Sequence, residues 1–98
     1  MACLVSDRVE AELDDIWLYI ARESQSGEIA DRVIDSIAAQ FVLLSKHPYV
    51  GRKRDDLRPG LRSAAVGSYV VVYRIEGEDV VILHVVHGRR DIKAVVRQ

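Results

Sequence analysis

Side chains able to handle phosphate or move protons concentrate in the second half of the chain: Arg52, Lys53, Arg54, Arg58, Arg62, His87, Arg89 and Arg90. Arg62 opens a β-rich stretch. A guanidinium there could hold phosphate oxygens in a bidentate grip and offset charge growing in a transition state. Its alternative role is to anchor the preceding loop. His87 closes a long apolar run, where an imidazole titrating near neutrality could serve as general acid or base. Strict strand alternation puts His87 on the face of Val81, Leu83 and Val85, opposite Val80, Ile82, His84 and Val86. The competing role is structural, a histidine tied at a strand end to Asp91 or to a backbone group. Arg89 and Arg90 project to different sides in extended chain, so one could face a partner while the other pairs with Asp91. The Arg52-Lys53-Arg54 run could touch phosphate or an acidic protein surface. His84 reads as a half-buried packing residue and His47 as part of a loop. The histidines lack metal-ligand spacing and Cys3 is the single cysteine, so neither a metal site nor an internal disulfide is expected, and no cofactor.

These residues need elements to hold them. Ala2 to Val5 reads as a short edge strand. Asp7 with Glu10 fits a capping box, and Val9, Leu13, Ile16, Trp17 and Ile20 repeat at helical spacing over residues 7–23. Ser24 to Gly27 is a polar turn. Ile29, Val33, Ile34, Ile37, Phe41 and Leu44 then mark a second helix, which should stop near Ser45-Lys46 because the residue before Pro48 disfavours the α region. Two such helices joined by a short turn form an antiparallel hairpin. Tyr49 to Gly60 is a basic, loop-like connector, long for a small domain and hence a candidate for function. Strands are expected over residues 61–66, 69–75 and 80–87, separated by Gly67-Ser68 and by Glu76 to Asp79. The last strand is apolar almost throughout, which implies cover on both faces. Residues 91–96 are left open as a tail element. The order β-α-α-β-β-β predicts an α+β domain over residues 1–98, with a helical hairpin packed on a small antiparallel sheet.

The 98 residues suffice for one modest core, and the 30% charged content is that of an ordinary soluble domain. No apolar run approaches a membrane span, no secretory leader is evident, and the lone cysteine suits a reducing cytoplasm. The net charge of −1 conceals a split. Residues 1–45 hold nine acids and three arginines, a balance of −6. Residues 46–98 hold eleven Lys/Arg and six acids, a balance of +5. Such a split describes either a two-faced binding molecule or a solvated surface with uneven charge.

Four segments in order carry a resemblance: Pro48-Tyr49-Val50-Gly51-Arg52; Leu57-Arg58-Pro59-Gly60-Leu61-Arg62; Val66-Gly67-Ser68-Tyr69 running to Arg74; and Val85-Val86-His87-Gly88-Arg89-Arg90-Asp91. Together with Ala11, Tyr19-Ile20 and Ile34 to Ile37 in the helices, they make the chain similar to the ParE branch of the ParE/RelE toxins. The resemblance implies a toxin that arrests growth unless a cognate antitoxin wraps it. It implies DNA gyrase as the probable target of a non-enzymatic poison, contacted through Arg52, Lys53, Arg54, Arg58, Arg62, Arg89 and Arg90. Antitoxin is expected along the helical hairpin, at Leu13, Trp17, Ile20, Ile34 and Phe41, and at a free sheet edge. Direct nucleic-acid binding stays open. So does the RelE alternative, a ribosome-dependent mRNA endoribonuclease using Arg62, His87 and Arg89 or Arg90, as does a binding module that has lost toxicity. Two departures weigh against the nuclease. Residues 89–98 contain no Tyr, His or Glu, and the whole chain is not basic.

Overall fold

The computed structural model describes residues 2–96. Strand β1 (Cys3–Val5) leads into helices α1 (Asp7–Ser24) and α2 (Gly27–Lys46); β2 (Arg52–Lys53), β3 (Leu61–Val66), β4 (Tyr69–Glu76) and β5 (Asp79–His87) follow, then the short α3 (Ile92–Val96). The strands form one sheet in the order β1-β5-β4-β3-β2. Strands β3 to β5 are antiparallel neighbours as expected and β2 adds an unforeseen antiparallel edge, but β1 lies parallel to β5, pairing Cys3 with Val80, so the sheet is mixed. Strand β2 and helix α3 complete an order that sequence alone had left as loop and open tail. None of the described helices is long and apolar enough to cross a membrane.

Each helix starts where a side chain satisfies an orphan amide. Ser6, rather than Asp7, caps α1, its Oγ accepting the Val9 N–H at 3.3 Å. Asp7 and Glu10 instead sit in the first turn, where negative charge suits the helix dipole. Ser26 caps α2 by accepting the Ile29 N–H at 3.2 Å. The hairpin is stitched by Trp17, whose indole N–H donates to Asp31 at 2.8 Å. At the far end the His47 N–H closes α2 on the Leu43 carbonyl, and Pro48 turns the chain away.

The helices lay Val9, Ile37, Phe41 and Leu44 onto Val71, Tyr73, Val80, Ile82 and Val85 of the sheet. On the opposite face Leu61, Val72 and Val96 gather with Leu57, Leu83 and Ile92, so the basic loop and α3 cover what the helices do not. Cover on both faces explains the unbroken apolar run of β5.

Strict alternation fails once in that strand. Val72 pairs with His84 but Tyr73 pairs with Ile82, leaving Leu83 as an unpaired bulge residue. Ile82 and Val85, three residues apart, therefore share the helix-side core, while Leu83 joins the other cluster. The expected grouping of Leu83 with Val85 is overturned by this extra residue.

Candidate functional site

The connector between α2 and β3 is pinned from below. Tyr73 is fully buried in β4; its hydroxyl donates to the Pro48 carbonyl at 2.7 Å and accepts the Gly51 N–H at 2.9 Å. Burial pushes the pKa of this phenol above its ordinary 10.0, so it holds its proton. Gly51 is required by the same contact, because a Cβ there would run into the Tyr73 hydroxyl. Arg62 grips the loop from β3: its guanidinium donates to the carbonyls of Gly51 (2.8 Å) and Tyr49 (3.3 Å) and lies 5.1 Å from the Tyr49 ring centroid.

Two further basic side chains also face inward contacts. Arg54 makes a two-pronged pair with Asp56, both contacts 3.1 Å, and donates to Ser63 Oγ. That hydrogen bond holds the Asp56 carboxyl below its ordinary range. Arg58 reaches across to the Val96 carbonyl at 2.7 Å and ties the loop to α3. Arg52 and Lys53, by contrast, are exposed on β2 and form no ion pair among the described residues.

At the other end of the sheet, an open cleft of about 470 Å³ runs between α1 and the end of β5. Glu12 and Asp15 line one wall, Arg89 and Arg90 the other, with Tyr19, Tyr69 and His87 between them. Glu12 also secures the bulge, its carboxylate accepting the Val85 N–H at 3.0 Å and lying 3.2 Å from His84 Nδ1. His84 is accordingly buried rather than half-buried. The His87 ring packs edge-on against Tyr69, 5.4 Å between centroids. Its Nδ1 accepts the Arg89 N–H at 3.1 Å. Asp91, offered above as a partner for His87 or an arginine, instead caps α3 through the Ala94 N–H. Among the described residues the guanidinium groups of Arg89 and Arg90 pair with no carboxylate.

The cations named from sequence therefore do not form one site. Arg62 pairs with Tyr73 across β3–β4, and His87 pairs with Tyr69 across β4–β5. Four residue steps of β4 separate these partners, about 13 Å along the strands, and the two residues flank β4 from opposite sides, ~10 Å apart across the sheet.

The apolar stripe expected to meet an antitoxin is mostly committed to the fold. Phe41 is 8% exposed within the main core, and Leu13 and Ile34 pack against it; Trp17 and Ile20 are half-buried. Helical periodicity marks the face that meets the sheet and cannot distinguish it from one that meets a partner. The apolar side chains that do face outward on the hairpin are Leu18, Tyr19, Ile29, Val42 and Leu43, and Leu4 and Val5 do so on the β1 edge.

Comparison with known proteins places this architecture. Residues 4–92 match the family model for the ParE toxin of the parDE type II toxin-antitoxin system. The chain belongs to the ParE toxin family. It is 40% identical over 86 residues to Toxin ParE3 of Caulobacter vibrioides, spanning 88% of this chain and 85% of that relative. Among solved structures, the chromosomal ParDE toxin-antitoxin system from P. aeruginosa shares the fold at a TM-score of 0.77 and 21% identity, covering 89% of this chain and 95% of that one. The RelBE2 toxin-antitoxin complex from Mycobacterium tuberculosis is more distant, at a TM-score of 0.58 and 26% identity over 88% of this chain and 95% of that one. As a ParE-family member the chain is a type II toxin, built as a helical hairpin on a mixed five-stranded sheet.

Proposed function

We propose that this toxin arrests growth by poisoning DNA gyrase, and that a cognate antitoxin silences it. The separation of Arg62 from His87 is the observation that carries the choice of target. A ribonuclease centre would bring a phosphate-holding guanidinium and a proton-transferring group within hydrogen-bond reach of one phosphate. Here Arg62 grips loop carbonyls on β3, while His87 accepts a backbone N–H at the end of β5. The cations left free, Arg52, Lys53, Arg89 and Arg90, suit recognition of an acidic surface rather than catalysis. Any breakage of DNA would be gyrase's own covalent chemistry, trapped by the toxin. Antitoxin docking is supported by the two-component assemblies of the structural neighbours. The cleft beside α1 and the exposed β1 edge offer helix-in-groove and strand-addition contacts.

The test is a plasmid assay with purified gyrase, ATP and the folded toxin. Supercoiling should fall and linear DNA should appear after the enzyme is denatured, and both effects should vanish when antitoxin is added. Normal supercoiling at saturating toxin, with transcripts cut during growth arrest, would reject gyrase in favour of ribosome-dependent RNA cleavage.

A further inference from the structure

Tyr49 and Val50 are the most exposed large apolar side chains along the connector, 70% and 61% exposed respectively. They sit on its most heavily bonded segment. The Tyr73 hydroxyl holds Pro48 and Gly51 on either side of them, and Arg62 holds the carbonyls of Tyr49 and Gly51. An exposed apolar pair on a slack loop would be ordinary surface. On a loop fixed at four backbone groups it is a rigid knuckle, whose ordering entropy has been met during folding rather than on binding. The rim is basic: Lys46 and His47 precede the knuckle, Arg52 and Lys53 follow it, and all four are exposed. Val42 and Leu43, in the last turns of α2, are exposed as well.

We infer that this knuckle is the apolar centre of the toxin's contact with its target, and that it inserts into an apolar pocket rimmed by acidic side chains on a protein. Tyrosine in a rigid setting with a charged rim has the anatomy of a binding hot spot. A nucleic acid fits less well. Val50, Val42 and Leu43 have no counterpart among phosphates or base edges, and the Arg62 guanidinium already stacks on the Tyr49 ring and bonds loop carbonyls. The near-neutral chain, with 15 acids to 14 Lys/Arg, also lacks the charge excess of a polyanion binder.

This inference rests on the reading of the chain as an active toxin, but not on gyrase being the target. The experiment compares growth arrest by inducible wild-type chain, Tyr49→Ala/Val50→Ser and Tyr49→Phe. It adds thermal melts of each purified protein, gyrase inhibition, and binding to a labelled single-stranded oligonucleotide. The double variant should melt within a few degrees of wild type yet act at least ~30-fold more weakly. Tyr49→Phe, which keeps the ring, should arrest growth nearly as well as wild type. A folded double variant that arrests growth at wild-type inducer levels overturns the knuckle, whatever the target. Tight oligonucleotide binding that Tyr49→Ala/Val50→Ser abolishes overturns the protein partner. Wild-type chain that arrests growth while leaving gyrase untouched removes the gyrase reading alone, and the comparison of variants still decides the knuckle. Wild-type chain that arrests nothing overturns both.

Discussion

The two ends of the sheet use the same residue type in opposite ways. Between α2 and β3, three arginines are turned inward: Arg62 to loop carbonyls, Arg54 to Asp56 and Ser63, Arg58 to the Val96 carbonyl. Beyond β5, Arg89 and Arg90 face an open cleft and pair with no carboxylate among the described residues. The inward set converts an irregular connector into a fixed surface. The outward set leaves positive charge available to a partner. A guanidinium in a sequence thus names a capacity to donate hydrogen bonds, and only the fold decides whether backbone or a second molecule receives them.

If this contrast is right, damage to the bonded groups beneath the loop, Gly51 and Tyr73, should register as lost stability, and damage to the outward-facing side chains, Arg89 and Arg90 like Tyr49 and Val50, as lost activity. The largest effect is expected from Gly51→Ala. Overpacking against a fully buried tyrosine should remove about 3 kcal/mol, read as a melting temperature lower by ~10–20 °C. Tyr73→Phe should follow at about 2 kcal/mol, because it strips partners from the Gly51 N–H and the Pro48 carbonyl. Combining the two sharpens the point. Without the hydroxyl the added methyl loses its nearest obstacle while the ring carbons Cε1 and Cζ still crowd it, and both changes strike the same contact, so the double variant should be more stable than the sum of the single losses allows; simple additivity in denaturant titrations would refute the contact.

Glu12→Ala ranks next, at about 1.5 kcal/mol, since it orphans the Val85 N–H at the bulge; urea melts would register it. Arg89→Ala/Arg90→Ala should shift stability by less than ~0.5 kcal/mol while weakening growth arrest. A large loss of stability from that pair would erase the proposed division between the two ends. The alkaline limb gives a final, small test. Burial raises the folded-state titration of Tyr73 and Tyr69 above 10.0. Their stabilising contribution is complete below that value and is lost as pH rises from it through the folded-state values. Wild type should therefore lose stability above about pH 10, and Tyr73→Phe should lose less over the same window.

What sequence made legible was periodic. The steps among Val9, Leu13, Ile16 and Ile20 and those from Val33 to Leu44 define both helices to within a residue or two, and β-branched runs define β3 to β5. Non-local arrangement was hidden. Nothing in Cys3 to Val5 specifies a parallel neighbour at Val80, and an uninterrupted apolar run conceals the bulge at Leu83 because either face accepts valine or leucine. The cap at Ser6 was overlooked because Asp7 has similar capping chemistry one residue later. For the site, the cluster Arg52-Lys53-Arg54 was visible as charge, yet which of its members faces solvent depended on Asp56 and on Ser63 across the sheet. The Tyr49-Val50 knuckle had one available signal: two large apolar residues inside Pro-x-x-Gly, where a solvated loop would carry polar ones.

The parallel pairing of β1 with β5 also sets an order of assembly. Cys3 finds its strand partner at Val80, and between them lie both helices and most of the sheet. The helices can form early, because their contacts are local, but the core they cap needs β5, which is made after both helices and the other four strands. A chain that stops before β5 lacks the strand that joins β1 to the rest of the sheet, and with it one wall of the cleft. Translation interrupted before β5 should therefore yield unfolded fragments for proteolysis rather than a partly active poison, so toxicity waits on the synthesis of that strand.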